Sequence, residues 1–228
     1  MSTQLHNELK KEFQLERMIL FSDAVFAIAI TLLVIEIKVP DVHGDVSDKI
    51  LLKSLGHLIP KFMGFLISFI LVGIYWVLHH RMFGFVTSYN RKLLILNLIF
   101  LFFIAFMPFS TGFYGEYSGP ELITKQLKIP FTFYVLNFCC LGFMHHIMWR
   151  YITNPANKLA EPPVDALTVK LAKLRSLLVP TIFLLMLPVA YLTNVVVAIY
   201  IPMLIPVILR ITNRRISRNY TKKSKINQ

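Results

Sequence analysis

The sequence has few charges and none of the short motifs that mark common enzymes. Only 16% of its 228 residues are charged, whereas a soluble domain usually carries about 25%. It contains no P-loop, no GxSxG, no HExxH and no glycine-rich dinucleotide loop, and each of these motifs supports a particular chemistry. Its apolar runs hold no paired carboxylates or metal-spaced ligands, so an enzyme is the weakest hypothesis.

Cysteine and histidine give little support to a metal site. Cys139 and Cys140 are adjacent within an apolar run, without zinc spacing or disulfide logic, and we predict that they are packing residues. The histidines include two adjacent pairs, which on a helix point to different sides: His79-His80 and His145-His146. They would bind a metal only if the pairs converged across helices. We expect interfacial hydrogen bonding instead, with no metal and no cofactor.

Long apolar runs separate the clustered charges. With 56% hydrophobic residues, the chain is predicted to be all-α, a polytopic membrane protein with six transmembrane helices in one domain over 1–228. Between a cytosolic N-terminus at 1–17 and a basic tail at 213–228, the predicted spans are 18–39, 61–80, 93–111, 127–151, 172–192 and 195–212. The last two share the 34 uncharged residues between Arg175 and Arg210, and Thr193-Asn194 divides them.

The charges differ between the two sides of this layout. One side carries 18 basic and five acidic residues, in 1–17, 79–92, 150–175 and 210–228; the other carries six of each, in 36–61 and 112–128. The positive-inside rule then places both termini in the cytosol. The tail from Arg210 has seven basic residues and no acid, and we expect it to meet anionic lipid headgroups rather than nucleic acid.

The uncharged stretch of the first span is too short to cross the hydrocarbon core of a membrane by itself. This stretch, Ala24 to Ile35, would rise only about 18 Å as a helix, whereas the hydrocarbon core needs about 30 Å. Asp23 or Glu36, or both, therefore lies near membrane depth and must face protein or water.

The cytosolic end of this span combines a guanidinium, a ring, a hydroxyl and a carboxylate within two turns, in Arg17, Phe21, Ser22 and Asp23. Near lipid, such polar groups are costly unless they are paired. Partners predicted at the same depth are Trp76, His79, His80 and Asn97. An ordinary interfacial anchor with a capping Asp would give the same residues.

One stripe of this helix is uncharged. At about 100° per residue, the stripe contains Ile28, Thr31, Leu32 and Ile35. Periodicity alone favours a packing seam. Asp23 lies about 140° around from Ile28, so a structural role suits it better than ion binding.

Arg17-x-x-x-Phe21-Ser22-Asp23 at the head of the first span resembles the signature of the transmembrane protein 175 family, the lysosomal potassium channels and their prokaryotic homologues. The segment from Trp76 to Arg81, and Asn97 followed by Met107-Pro108-Phe109-Ser110, are also similar to that family. A single six-span unit resembles the prokaryotic form.

The resemblance implies a homotetramer in the plasma membrane of a prokaryote, in which the first span of each subunit lines a central pore. The resemblance also implies a cation channel fold unlike that of ordinary potassium channels, and the sequence contains no TVGYG-like filter. Carried over by position, Ile28 would be the constriction, Leu32 and Ile35 would line the pore further along, and Thr31 would supply a hydroxyl ring associated with selectivity. Arg17, Phe21, Ser22 and Asp23 would hold the first span in place.

We therefore expect a passive, K+-permeable channel with K+ as the permeant ion. A hydrophobic ring can gate by dewetting, and hydroxyls can replace part of an ion's hydration shell. The alternative is a proton-coupled secondary transporter or proton channel, which would use Asp23 with His79 or His80 as a buried titratable group.

Overall fold

A computed structural model describes residues 11–40, 44, 46–117, 127–160, 164–205, 207–212 and 214–216. Within these ranges the chain is helical and forms no strand, which confirms the all-α prediction. The helices are α1 (Lys11–Ile35), α2 (Asp48–His57), α3 (Ile59–Phe83), α4 (Arg91–Ala105), α5 (Met107–Glu116), α6 (Ile129–Ile152), α7 (Ala166–Leu192) and α8 (Val195–Ile199), with 3-10 turns at Pro155–Asn157 and Ile201–Leu204.

Five helical segments in the described residues are long and apolar enough to cross a membrane. They are Phe13–Ile35, Ile59–Phe83, Arg91–Glu116, Ile129–Ile152 and Ala166–Leu192. Their outward faces carry large apolar side chains such as Phe69, Ile70 and Leu185, which are exposed. In a polytopic membrane protein such faces meet lipid rather than water.

The sequence predicts the third span over 93–111. In the structure, the corresponding helical segment continues through Pro108 to Glu116. α4 stops at Ala105 and α5 restarts at Met107, with Pro108 in its first turn. A proline there loses no helical hydrogen bond, because the first amides of a helix have no partner inside it. The two helices therefore form one span that ends at Glu116.

The sixth predicted span, 195–212, remains a prediction. The chain turns at Thr193, and the Asn194 side chain caps α8 by accepting from the Val197 amide at 2.8 Å. After α8, Pro202 stands in a 3-10 turn, and helical residues continue towards 216. Residues 1–10 of the predicted cytosolic N-terminus and 217–228 of the predicted tail lie outside the described residues.

The core lies where α4 and α6 meet the other helices. α4 packs against α1 and α6, and α7 packs along α6. Gly142 makes the α6–α7 contact close, because a Cβ at this position would lie 2.7 Å from the Pro180 Cβ and 2.9 Å from the Tyr75 hydroxyl. Cys139 is buried beside it, with its thiol 3.4 Å from the Pro180 carbonyl oxygen.

α1 rests on the other side of this core. It packs against α3, α4 and α5, so one face is held by three helices. On the opposite face, side chains such as Ile28 and Ile35 are exposed in the part of the chain that the structure describes, and this division of α1 defines the candidate functional site.

Candidate functional site

The two faces of α1 follow from helical periodicity. Ser22, Phe26, Ala29 and Leu33 are at most 1% exposed, and their spacing of three or four residues puts them on one face. On the other side, Ile28, Leu32 and Ile35 are 58%, 40% and 66% exposed. The predicted stripe therefore lies on the surface of the single chain, away from its core.

The Thr31 side chain is also exposed on this stripe. Its hydroxyl donates within its own helix, to the Ala27 carbonyl at 3.1 Å and the Ile28 carbonyl at 2.9 Å. Because the proton is used inside the helix, the oxygen lone pairs are free to face outward. Thr31 thus presents an acceptor oxygen in an otherwise apolar stripe.

A chain of buried hydrogen bonds fixes the opposite face of α1. His79 Nε2 lies 2.9 Å from Asn97 Oδ1, Asn97 Nδ2 donates to Ser22 Oγ at 2.8 Å, and Ser22 donates to the Met18 carbonyl at 2.8 Å. This order leaves His79 Nε2 as the donor to the Asn97 oxygen. We call Ser22, His79 and Asn97 the buried triad; it joins α1, α3 and α4, and each member is at most 1% exposed.

Aromatic rings surround the His79 imidazole. It stacks on Phe83 and Phe100, with centroids 4.3 Å and 5.4 Å away, and Phe26 of α1 lies 5.6 Å from it. The imidazole is therefore held by packing as well as by its hydrogen bond to Asn97.

Asp23 is tied to α3 by a separate bond. The Trp76 indole Nε1 donates to Asp23 Oδ1 at 2.9 Å. His80 contacts the Trp76 ring, with centroids 5.9 Å apart, and is itself exposed. The carboxylate and indole thus form a second connection between α1 and α3, nearer the surface than the buried triad.

Arg17 and Phe21, the other two residues of the motif at the head of α1, take no part in these contacts. The Arg17 guanidinium is 5.9 Å from the centre of the Phe13 ring on its own helix, and Arg17 and Phe21 are both exposed. In the part of the chain that the structure describes, no ion pair joins Arg17 to Asp23. Both side chains face the surface that also carries the stripe's exposed residues.

The sequence interpretation missed the buried contact of Ser68, and it was wrong for His145, which it expected to form hydrogen bonds at the membrane surface. Ser68 lies 3.1 Å from the Tyr134 hydroxyl and accepts from Thr111 at 2.8 Å, which links α3, α5 and α6. His145 is buried in α6 between the rings of Tyr75 and Phe100. The signal available for both was a polar residue within a strongly apolar span. Among the described residues, no three His, Cys, Asp or Glu side chains form a metal-binding group.

Comparison with known proteins gives consistent results. Residues 17–108 match the family model described as endosomal/lysosomal potassium channel TMEM175. A Streptomyces collinus protein named as a potassium channel is 34% identical over 155 residues, or 68% of this chain and 72% of the relative. A Gallus gallus protein named as an endosomal/lysosomal proton channel TMEM175 is 33% identical over 57% of this chain and 28% of its own length.

A solved structure is similar over nearly the whole chain. It is the crystal structure of a lysosomal potassium-selective channel TMEM175 homolog from Chamaesiphon minutus, with a TM-score of 0.69 and 27% identity. The match covers 88% of this chain and 98% of that one.

Proposed function

The chain belongs to the TMEM175 family of endosomal/lysosomal potassium channels, and from that premise we propose that it is a cation channel that conducts K+ passively. The family consists of ion channels rather than enzymes. K+ is the permeant ion, and conduction uses no resident cofactor. The observation that carries the proposal is the uncharged face of α1, which lies outside the core of the single chain.

The exposed stripe is explained if several copies surround one axis. A single helix face cannot enclose a pathway, and a closed ring of identical subunits is the usual way to form one. We propose a homotetramer in which α1 of each subunit lines the pore. Ile28, Leu32 and Ile35 then form successive apolar rings, of which the Ile28 ring is the hydrophobic gate.

Thr31 supplies the polar ring in this pathway. Its outward lone pairs can replace part of the hydration shell of a passing cation. Four hydroxyl oxygens offer far fewer ligands than a cage of backbone carbonyls. The pore should therefore discriminate K+ from Na+ only modestly.

We expect Thr31→Val to lower the K+ over Na+ permeability ratio by about fivefold, a free-energy difference of about 1 kcal/mol. Valine keeps the shape of threonine but removes the hydroxyl. The measurement is the reversal potential under bi-ionic conditions, with Thr31→Ser as the matched control that retains a hydroxyl. An unchanged ratio in Thr31→Val would remove Thr31 from the selectivity mechanism.

The contacts behind α1 serve to hold the pore helix. The buried triad and the Asp23–Trp76 bond fix its cytosolic half to α3 and α4. In the assembly, the exposed Arg17 and Phe21 would hold α1 through contacts outside its own subunit. The buried triad and Asp23 lie off the stripe, so they act through the position of the helix rather than by touching ions.

The direction of insertion follows from charge. We propose that the protein lies in the plasma membrane of a prokaryotic cell with both termini in the cytoplasm, because the loops on that side carry most of the basic residues. The basic tail then lies where anionic headgroups can bind it.

The direct test is reconstitution of the purified full-length chain in liposomes. A K+ gradient should drive flux without any proton gradient, and Na+ should permeate less than K+. Protein-free liposomes and boiled protein provide the controls. Flux that occurs only when a proton gradient is imposed would overturn the proposal.

The second candidate is a proton-conducting or proton-coupled protein. The vertebrate relative named as a proton channel favours it, and it would use Asp23 with His79 or His80. For the passive K+ channel, we expect Asp23→Asn to keep K+ flux within about twofold of wild type, because an asparagine oxygen still accepts from Trp76. Proton flux in a pH-sensitive dye assay, abolished by Asp23→Asn in a protein that still elutes as the wild-type assembly, would favour the second candidate.

A further inference from the structure

Glu36 stands at the non-cytoplasmic end of the pore helix, one residue after the last apolar ring. α1 ends at Ile35, and Glu36 begins the turn that closes with the Ile37 amide donating to the Val34 carbonyl at 3.0 Å. On helical arithmetic it lies about 80° from Ile28, whereas buried Leu33 lies about 140° away. Glu36 therefore occupies the edge between the stripe and the buried face.

The Glu36 side chain rests against the backbone of α5 at Gly112. A Cβ built on Gly112 would overlap the Glu36 carboxylate, with the Glu36 Cδ only 2.7 Å away. No real Cβ contact is this short, so any side chain at 112 would displace the carboxylate. A cavity of about 10 Å³ lies beside this contact and is lined in part by Thr111 and Lys61. Because Gly112 has no side chain, the Glu36 carboxylate can thus lie against the backbone of α5.

The two lysines nearest to Glu36 in this region interact with another acid, Glu116. Lys61 Nζ lies 2.6 Å from Glu116 Oε2, and Lys38 also interacts electrostatically with Glu116. In the described ranges of the chain, no cationic group lies within ion-pair distance of the Glu36 carboxylate. Within the described residues Glu36 therefore has no ion-pair partner, although Lys61 lines the same cavity, whereas Glu116 is paired with Lys61.

We propose that Glu36 sets the conductance of the channel by forming an anionic ring at the outer mouth of the pore, with Gly112 as the residue that positions it. This inference rests on the proposed function, because a ring requires several copies of α1 around one axis. Acidic rings at a pore mouth raise the local cation concentration. The effect acts on entering ions and involves no tight binding.

The dependence of conductance on salt concentration distinguishes an electrostatic role of Glu36 from a structural one. The Debye length is about 30 Å at 0.01 M and about 3 Å at 1 M ionic strength. A mouth charge therefore matters in dilute solution and is screened in concentrated solution. A packing defect in the pore helix would change conductance at both salt concentrations.

The experiment is single-channel recording in planar bilayers, with symmetric KCl varied from 20 mM to 1 M. We expect Glu36→Gln to lower the current carried by K+ entering from the non-cytoplasmic side by about threefold at low salt, and to approach wild type at 1 M. Glu36→Asp should retain most of the current. Gly112→Ala, which keeps the charge but moves it, should lower the low-salt current in the same direction.

Asp48→Asn is the charge-matched control. Asp48 is an exposed acid on the same side, at the start of α2, and its removal should leave the low-salt current unchanged. If Glu36→Gln conducts like wild type at low salt, or loses current equally at 20 mM and 1 M, the inference is wrong and the channel proposal stands. If the wild-type chain conducts no K+, the proposed function itself has failed.

Discussion

Ile28→Asn should raise passive K+ flux by about tenfold, which corresponds to a barrier lowered by about 1.4 kcal/mol. Ile28 is 58% exposed on the stripe of α1, so four copies around an axis would place four branched apolar side chains in the pathway. Water leaves such a constriction readily, and a cation would have to cross it with an incomplete hydration shell. An amide at this position holds water and removes that cost.

The same substitution should also reduce discrimination between K+ and Na+. A wetted constriction lets either ion keep more of its hydration shell, so the preference for the more easily dehydrated ion weakens. The measurement is liposome flux of both ions, at equal protein density, for wild type and Ile28→Asn.

Two matched variants make the result specific. Ile28→Leu retains an apolar side chain of the same volume and should conduct like wild type. Val34→Asn introduces the same amide on the same helix at an exposed position, about 120° around from Ile28, and should not raise flux. Equal activation by Val34→Asn would mean that the amide loosens α1 generally, and Ile28 would then lose its role as the gate.

The features that could be predicted from the sequence are those with a local signal. Apolar runs bounded by basic residues predicted helices, and among the described residues five helices are long and apolar enough to cross a membrane. Polar residues in such runs are costly unless paired, which is why Trp76, His79 and Asn97 could be named as partners of Ser22 and Asp23. The structure brings these side chains within hydrogen-bonding distance.

The remaining features depend on contacts between distant segments. The contact between Glu36 and Gly112 requires α5 to pack against the end of α1. Nothing in the residues near either position indicates that these two residues meet. The exact end of the third span is equally hard to predict near Pro108, because a proline both ends helices and begins them. The gate role of Ile28 remains a prediction, since it depends on other copies of the chain.

Asn97→Leu should produce the largest loss of stability among single substitutions in the buried triad. Leucine fills a similar volume but cannot accept the hydrogen bond from His79 Nε2. Ser22 loses only an incoming bond, because its hydroxyl still donates to the Met18 carbonyl at 2.8 Å. The main penalty is therefore the unpaired His79 N–H, about 1–3 kcal/mol.

For a chain of this length, that penalty should lower the Tm by about 2–12 °C. The measurement is thermal unfolding in detergent, followed by the loss of the assembled peak in size-exclusion chromatography. Leu98→Ala, at the adjacent exposed position, controls for the general sensitivity of α4. A melting temperature equal to that of wild type would show that the buried triad contributes nothing measurable to holding α1.

The double variant His79→Phe/Asn97→Leu separates hydrogen bonding from packing. Phenylalanine keeps the stacking on Phe83 and Phe100 and needs no hydrogen-bond partner, and replacing both partners of a buried bond by apolar groups can be nearly neutral. The double variant should therefore melt above Asn97→Leu alone. If it melts lower, by the sum of the two single losses, the two residues act independently and the bond between them is not what fixes α1 to α3 and α4. Recovery of stability together with wild-type K+ flux would show that the triad works by positioning the helix, since no titratable imidazole would remain at position 79.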